Sequence, residues 1–486
     1  MMDYTQLLLF VSNVLFVVSL GWYLITNLQW YNYSINRVIT KHHKPWWHLF
    51  YFILPFMVYY GMYSLGWAEF FAIYFYFAAL PALFVWHKRL DKPLVLTWRV
   101  RRFLILLVFL TLFQNFLCTI NEGCEVYGVF MPLFVATLGS IMIEKFLFLA
   151  FMKEAKHKLE QMKDLRIVAI TGSYGKTSIK NFIYQILKSH TQTYMTPRSV
   201  NTLGGIVKDI NMDLPLDTKV YVCEAGARQK GDIYQIAQLL HHHVAVVGKI
   251  GPAHIEYFKS LENIARTKLE LIQSKNLEKA FVHVSATKEE HEKVEFFGDE
   301  IKNLSSTLDG LSFSLELEGK EVAFETSILG GFQAMNIAAA VRVASYLGMS
   351  IEAIQMAVKG LEAVEHRLQR IDAGGKIILD DGFNGNLDGM KEGIHLCSQH
   401  QGKKVIVTPG LVESTEELNL ELIEEINKVF DVVIVTGALN AALFETHLKV
   451  EKKIILTDKS KLTELLAKQT ASGDVILFAN DAPNFI

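Results

Sequence analysis

Apolar residues are concentrated in the first third of the chain, in runs long enough to cross a lipid bilayer. About 20 apolar residues in a helix span the hydrocarbon core of a membrane. We predict five such spans: Gln6–Thr26, Trp47–Ser64, Trp67–Trp86, Phe103–Ile120 and Val126–Ile143. No basic segment precedes the first run and four runs follow it, which argues against a cleaved signal peptide. The pattern therefore predicts an N-terminal bundle of transmembrane helices over residues 1–150.

The rest of the chain has the pattern of an α/β protein. Residues 151–165 are rich in Lys and Glu and predict a linker helix. Short β-rich runs then alternate with helical patterns, which is typical of a mostly parallel sheet covered by helices. We predict a central domain of the P-loop type over residues 166–370 and a C-terminal Rossmann-like domain over 371–486. The C-terminal strands are predicted at Lys376–Leu379, Lys404–Val407, Val432–Val435, Lys453–Leu456 and Val475–Phe478.

Loop charges predict how the helices would sit in the membrane. Basic residues are frequent in the loops 27–46 and 87–102 and after residue 143, whereas the 121–125 loop has two Glu residues and no Lys or Arg. Because basic loops stay in the cytoplasm, we expect the N-terminus to lie outside the cytoplasmic membrane and residues 151–486 to lie on its cytoplasmic side. The formal net charge of -2 gives no argument for nucleic-acid binding. Cys118 and Cys124 could pair near a membrane edge, but we expect free thiols.

A glycine-bearing loop follows the strand predicted at Arg166–Thr171. The loop reads Gly172-Ser-Tyr-Gly175-Lys176-Thr177-Ser178, and a helix is predicted over Ile179–Leu187. Glycines let backbone N–H groups turn towards an anion, and the helix N-terminus adds its dipole. Lys176 would reach the β- and γ-phosphates of a nucleotide and Thr177 would bind Mg²⁺. The spacing is shorter than that of the common nucleotide loop, so a simple strand-to-helix turn is the alternative.

Further candidate residues follow the loop, and each has an ordinary structural alternative. Glu224 ends a predicted strand, where a carboxylate could meet the Mg²⁺ on Thr177 or could be a surface charge. His254 could bind a metal or a phosphate, or bond to a backbone carbonyl. Asn336 lies in an alanine-rich helix, where its amide could face an adenine edge. Other candidates are Lys268, on a predicted helix; Arg367, before the C-terminal unit; and Asp381 and Asn384, after its first strand.

The order of these motifs resembles that of the Mur ligase family. The series is Gly-x2-Gly-Lys-Thr, Asn201 with Gly204-Gly205, Glu-x-Gly-Ala, Ala-His-x-Glu, Lys-x-Glu, Asn-x-Ala-Ala-Ala, His-Arg and Asp-Asp-x-Phe-Asn. The family consists of ATP-dependent amide ligases of peptidoglycan precursor synthesis. The resemblance covers about residues 165–420 and is greatest to the members that add D-alanyl-D-alanine. Five membrane spans stand in place of the usual N-terminal domain, and Phe332-Gln333 replaces the usual His-Asn.

The resemblance implies roles for the candidate residues. ATP would contact Gly172, Ser173, Gly175, Lys176, Thr177, Ser178, Asn336, Arg367, Asp381 and Asn384. Two Mg²⁺ ions would be held by Thr177, Glu224, His254 and a carbamylated Lys268. Lys176, Lys268, His254 and Arg367 would be the catalytic residues. The implied substrates are a UDP-sugar tripeptide and D-alanyl-D-alanine, and membrane lipid and cell-wall synthesis proteins are expected partners.

Three other functions fit parts of the sequence. A related ligase could extend another envelope polymer of the poly-γ-glutamate type, where membrane attachment is also natural. An ATPase that powers transport or assembly would need the phosphate loop but has no use for Lys268. A nucleotide-binding scaffold would need neither turnover nor an acceptor amine.

Overall fold

The computed structural model describes residues 4–120, 128–252, 255–383, 385–412 and 414–481, apart from the Glu256 side chain. Candidates His254 and Asn384, Cys124 and the predicted start of the fifth span at Val126 therefore lie outside the described residues. The chain divides into two compact units, residues 1–150 and 151–486. The predicted internal boundaries at 165/166 and 370/371 fall within the second unit and stay predictions.

The first unit is helical. Its helices are α1 (Tyr4–Trp30), α2 (Ile35–Thr40), α3 (Trp46–His48), α4 (Leu54–Ser64), α5 (Ala68–Tyr74), α6 (Leu80–Lys88), α7 (Trp98–Ile120) and α8 (Phe130–Gln161), which runs on into the second unit. Two π-helical segments interrupt this pattern: Leu49–Ile53 joins α3 to α4, and Phe75–Ala79 joins α5 to α6. The predicted linker helix is thus the end of α8.

Four helices among the described residues are long and apolar enough to cross a membrane: Tyr4–Trp30, Ala68–Lys88, Trp98–Ile120 and Phe130–Gln161. They coincide with four of the five predicted spans. The remaining segment, Trp46–Ser64, is helical but is not among them. The prediction of free thiols is wrong for Cys118, which is disulfide-bonded.

Buried polar side chains connect three helices of the first unit. Asn13 of α1 donates to the Tyr59 hydroxyl of α4 at 3.0 Å, and Asn115 of α7 donates to Asn13 Oδ1 at 3.1 Å. All three side chains are fully buried. Both hydrogen bonds join residues that are far apart in sequence, so they help to fix how α1, α4 and α7 pack.

The second unit starts with a parallel sheet and its covering helices. These elements are β1 (Arg166–Thr171), α9 (Lys176–Leu187), β2 (Thr193–Met195), α10 (Leu203–Met212), β3 (Val220–Glu224), α11 (Asp232–Leu240), β4 (Val244–Val247), α12 (Ile255–Phe258), α13 (Leu261–Leu269), the 3₁₀ turn Glu270–Gln273, β5 (Lys279–His283) and β6 (Val294–Phe297). The strand order is β2-β3-β1-β4-β5-β6, and every described pair is parallel. The parallel sheet predicted for this region is confirmed.

An antiparallel sheet and two helices follow: β7 (Lys302–Thr307), β8 (Gly310–Leu317), β9 (Lys320–Thr326), α14 (Gln333–Tyr346) and α15 (Ile351–Lys359). The alanines of α14 are fully buried and let this helix pack closely against α9. This contact brings the start of α14 to the start of α9, beside the glycine loop.

A second sheet closes the chain with β10 (Gln369–Ala373), β11 (Lys376–Asp381), α16 (Leu387–Ser398), β12 (Lys404–Thr408), α17 (Glu416–Val429), β13 (Val432–Thr436), α18 (Ala441–His447), β14 (Lys452–Leu456), the 3₁₀ turn Lys459–Lys461, α19 (Leu462–Gln469) and β15 (Val475–Ala479). The order is β10-β11-β15-β12-β13-β14, parallel except for the β10–β11 hairpin. All five predicted C-terminal strands are confirmed. The sequence pattern did not reveal the edge strand β10.

Candidate active site

The glycine loop lies between the end of β1 and the start of α9, as predicted, although α9 begins at Lys176 rather than at Ile179. Gly175 has φ +77°, which favours glycine, and a Cβ there would lie 2.3 Å from Asn336 Oδ1. A Cβ on Gly172 would lie 3.1 Å from the Gly248 Cα. Both glycines are therefore required by backbone conformation and by close approach. The first-turn N–H groups of α9 face the loop and form a ready anion site.

Lys176 folds back across this loop. Its ammonium donates to the carbonyls of Gly172 at 2.9 Å and Ser173 at 3.1 Å. Burial lowers the pKa of Lys176, and nearby Glu224 acts against this shift. A phosphate in the loop would replace the two carbonyls with a stronger, charge-assisted partner.

Glu224, at the end of β3, is the centre of a buried polar network. Its exposed fraction is 1%. Oε2 accepts from the Thr177 hydroxyl at 3.0 Å, and Oε1 accepts from the Asn201 amide at 3.1 Å. A carboxylate next to a hydroxyl is the hard oxygen donor set that Mg²⁺ prefers, so these two residues fit the predicted ion.

Lys180 completes this network, and the sequence analysis missed it. Its ammonium lies 3.6 Å from Glu224 Oε2, and its side chain is fully buried. It also donates to the carbonyl of Thr196 at 2.9 Å and to that of Arg198. The sequence feature that could have identified Lys180 is its position one helical turn after Lys176, on the buried face of α9. Lys180 thus ties α9, the end of β3 and the 196–201 loop together.

Lys268 lies near the end of α13 with only 4% of its surface exposed. Burial, with a smaller contribution from the Lys176 charge, lowers its pKa to about 7. A buried lysine with this pKa is an unprotonated amine about half of the time at neutral pH. Lys268 thus differs from the solvated lysine that a helix surface usually carries.

Two cavities meet at the loop and share Ser173 and Lys176. The first, of about 150 Å³, also contains Gly175, Thr177, Ser178, Asn336, Arg367 and Asp381. The second, of about 400 Å³, also contains Gly172, Asn201, Arg228 and Lys268. The structure therefore brings most of the predicted residues to one locus. Lys176 lines both cavities, whereas Glu224 lines neither.

The first cavity has a fixed amide on its wall. Asn336 Nδ2 donates to Gln333 Oε1 at 2.8 Å, while Oδ1 faces Gly175. Gln333 is buried. With Phe332, it stands in this sequence where the Mur ligase pattern has His-Asn. The substitution thus supplies an acceptor that orients Asn336.

Arg367 reaches the same cavity from a strained segment. Its neighbours His366 and Leu368 both have left-handed backbones, with φ of 61° and 54°. Asp380 bonds to the His366 ring at 2.7 Å, and Asp381 accepts from the Leu368 N–H at 3.0 Å. The two acids at the end of β11 therefore hold the segment that presents Arg367, which explains how the strain is sustained.

The described residues contain no group of three His, Cys, Asp or Glu side chains arranged to hold a metal ion. The predicted metal set depends on His254, which is outside the described residues, and on a modified Lys268. Of the predicted metal ligands, Thr177 and Glu224 are the described pair within hydrogen-bond distance of each other.

Residues 170–344 match the family described as Mur ligase middle domain. The chain is 26% identical over 350 residues to the UDP-N-acetylmuramoyl-tripeptide–D-alanyl-D-alanine ligase of Bacillus subtilis, covering 68% of this chain and 76% of the relative. The match to the enzyme of the same name from Escherichia coli is 27% identical over 272 residues and covers 52% of this chain and 60% of the relative.

Solved structures show the same likeness. The MurF ligase of Thermotoga maritima in complex with ADP has a TM-score of 0.60 and 28% identity, with 69% of this chain and 80% of that chain covered. A pseudomurein peptide ligase type C from Methanothermus fervidus, at 16% identity and TM-score 0.52, covers 65% of this chain and 76% of its own and shares the fold.

Proposed function

We propose that this chain, a MurF-like member of the Mur ligase family and an ATP-dependent ligase, forms an amide bond through an acyl phosphate. The acid substrate would be a UDP-N-acetylmuramoyl tripeptide and the amine D-alanyl-D-alanine, as in the names of its relatives. The observation that carries this proposal is the meeting of two cavities at Lys176. A ligase has to hold a nucleotide and an acid on either side of the γ-phosphate.

The nucleotide would occupy the first cavity. Its phosphates would lie on the N-terminus of α9, with Lys176 and Arg367 as counter-charges and Asn336 at the adenine edge. The ADP bound in the Thermotoga maritima relative is consistent with this assignment. Arg367 comes from the segment before the second sheet, so residues next to both sheets would enclose the nucleotide. Enclosure of this kind excludes the water that would otherwise hydrolyse an activated acid.

The acid would occupy the second cavity and direct its carboxylate towards Lys176. A carboxylate oxygen attacks the γ-phosphorus, the bond to the β-phosphate oxygen breaks, and ADP leaves. The amine nitrogen then attacks the acyl carbon, inorganic phosphate leaves, and the amine loses a proton. Lys176 and Arg228 reduce the repulsion between the two anionic reactants.

Mg²⁺ on Thr177 and Glu224 would neutralise phosphate charge. A lysine reacts with carbon dioxide as the neutral amine, and the pKa of Lys268 near 7 makes that form abundant. We therefore propose that Lys268 is carbamylated, as the family resemblance implies, and that it faces the second cavity, where the acid would bind. Such a buried amine favours a ligase over an ATP-driven motor, which has no need for it.

We further propose that residues 1–150 anchor the enzyme in the cytoplasmic membrane through five crossings, which are the four long apolar helices and the helical segment Trp46–Ser64, with the N-terminus outside. Helices α5–α6, α7 and α8 expose many large apolar side chains, for example Phe77 at 82% and Phe146 at 69%. This topology places Cys118 near the outer face, where its disulfide would persist. The basic loops would then lie on the same side as the ATP site.

The test is turnover by the purified full chain with ATP, Mg²⁺, the muramoyl tripeptide and D-alanyl-D-alanine. We expect phosphate release that requires both substrates, and a pentapeptide product by mass spectrometry. Lys176→Met should abolish both, whereas Lys188→Met, at the other end of α9, should not. Phosphate release without an amine would instead indicate an ATPase. A product that forms only when glutamate is supplied as the amine would indicate a poly-γ-glutamate-type ligase.

A further inference from the structure

Helix α14 begins without a side-chain cap of its own. Phe332, the residue before it, makes no capping hydrogen bond, and the first turn of the helix contains no Asp or Glu. The first N–H groups of a helix have no partners within the helix, and the helix dipole favours a negative charge near them. This end of α14 carries Gln333 and Asn336, which line the first cavity. The group that fixes it therefore has to come from another element.

That group is the carboxylate of Glu392, on α16. Its Oε1 accepts from the Gly331 N–H at 2.6 Å and from the Ser306 hydroxyl of β7 at 2.9 Å. The Gly331 carbonyl accepts from the Ala334 N–H at 3.1 Å, which is one of the first backbone bonds of α14. Two donors from different elements hold this oxygen in place, and a bond to a charged acceptor is stronger than a bond between neutral groups. The half-buried Glu392 thus supplies the acceptor and the negative charge that the first turn of α14 lacks.

The turn that Glu392 holds is closely packed and leads directly to the cavity wall. Gly330 has φ +93°, and a Cβ there would lie 2.8 Å from the Leu368 side chain. The Gly330 carbonyl accepts from the Gln333 N–H at 2.9 Å. Gln333 Oε1 accepts from the Asn336 amide at 2.8 Å. A short series of hydrogen bonds therefore connects the Glu392 carboxylate to the amide that would face the adenine edge.

Helix α16 also contributes to the first cavity directly. Asp388 and Gly389, in its first turn, line the cavity. Asp388 lies four residues before Glu392, so the two carboxylates stand on the same side of the helix. This side of α16 therefore meets both the cavity and the turn before α14.

The phosphate side of the cavity is held by other contacts. The Lys176 ammonium bonds to the carbonyls of its own loop. The acids at the end of β11 hold the segment that presents Arg367. Loss of the Glu392 carboxylate should therefore change the α14 side of the cavity and leave the phosphate side intact.

We infer that Glu392 is a positioning residue for the nucleoside part of the nucleotide. It holds the start of α14 so that Gln333 and Asn336 keep the geometry that receives the base. Glu392 lines neither cavity, so it acts through Gly331 rather than by touching the nucleotide. The inference rests on the proposed function, which places the nucleotide in the first cavity with adenine at Asn336. It does not depend on which acid and amine are joined.

The test is isothermal titration calorimetry of the full chain with ADP and Mg²⁺, and separately with pyrophosphate and Mg²⁺. Glu392→Ala should bind ADP about tenfold more weakly, as expected for the loss of a charge-assisted hydrogen bond, while its affinity for pyrophosphate stays within about twofold of wild type. Glu392→Gln keeps an oxygen acceptor without the charge and should bind ADP only about threefold more weakly. Lys391→Gln, which removes the neighbouring ion pair with Glu421, should change neither affinity.

A double-mutant cycle tests whether Glu392 acts through α14. In an Asn336→Ala background, Glu392→Ala should weaken ADP binding by less than about twofold further, because the amide that it positions is absent. Independent effects of the two substitutions would overturn the inference.

Other results would overturn it as well. These are unchanged ADP affinity in Glu392→Ala, equal weakening of ADP and pyrophosphate, which a general loss of structure would produce, and no recovery with Glu392→Gln. A wild-type protein that binds no ADP would overturn the proposed function together with this inference. Wild-type binding of ADP that Glu392→Ala leaves unchanged would overturn the inference alone.

Discussion

Replacement of Lys268 by Met should stabilise the protein at neutral and lower pH while it abolishes ligation. Burial lowers the pKa of Lys268 to about 7 from the 10.5 of a solvated lysine. A difference of 3.5 units corresponds to about 5 kcal/mol at roughly 1.4 kcal/mol per unit, and solvent relaxation reduces this to a few kcal/mol. Met has a similar length and no charge to desolvate, so the variant avoids that cost.

The sign of the pH dependence follows from proton binding. Between pH 7 and about 10 the unfolded chain binds more protons at Lys268 than the folded chain does, so wild-type stability rises with pH in this window. Below pH 7 both states are protonated and the full cost remains. The advantage of Lys268→Met should therefore be constant below about pH 6.5 and decrease steadily above pH 7.

The measurement is unfolding of the second unit in carbon-dioxide-free buffer without ATP or Mg²⁺. All seven Trp residues lie within residues 1–150, so Trp fluorescence reports the first unit only. Cys223 and Cys397 are buried free thiols of the second unit, and their reaction with a fluorogenic reagent reports its unfolding. Lys275→Met, at an exposed site on the turn after α13, is the matched control. A change in stability of Lys268→Met that is the same at pH 6 and pH 9 would refute the reasoning, as would destabilisation at pH 6 or retained ligation.

Three other substitutions test the loop and its surroundings. Gly175→Ala should raise the KM for ATP and cost about 1–3 kcal/mol of stability, because its φ is strained for alanine and its Cβ would displace Asn336. Lys180→Met and Glu224→Gln should each cost about 3–5 kcal/mol in thiol-labelling experiments, whereas the double variant should cost less than their sum because no unpaired buried charge remains. Arg367→Gln should lower kcat/KM for ATP at least tenfold, as expected for the loss of a charge-assisted contact, with little change in stability.

Each of these has a control and an outcome that contradicts it. Gly231 has φ +91° and open space around it, so Gly231→Ala should lower stability through backbone strain without a change in the KM for ATP. Strict additivity in the Lys180–Glu224 cycle would mean that the two charges do not interact. An Arg367→Gln enzyme with unaltered kinetics would exclude a contact between Arg367 and the nucleotide.

Much of the fold could be predicted because it is encoded locally. The parallel strands around the glycine loop and the five C-terminal strands are continuous buried runs, and such runs identify themselves by composition. The Gly172–Gly175 loop could also be found, because its conformation depends on residues that are neighbours in sequence. Edge strand β10 was not predictable, since its residues Gln369–Ala373 are half exposed and have mixed polarity.

The sequence by itself determined the elements of this protein, their order and the chemical types present at the loop. Only the tertiary structure decided that Lys180 pairs with Glu224, that Asn336 packs on Gly175, and that Lys268 is buried deeply enough to lose its proton near pH 7. Periodicity and turn chemistry act over a few residues. A carboxylate 47 positions from its hydroxyl partner is placed by the packing of strands and helices, which no local pattern contains.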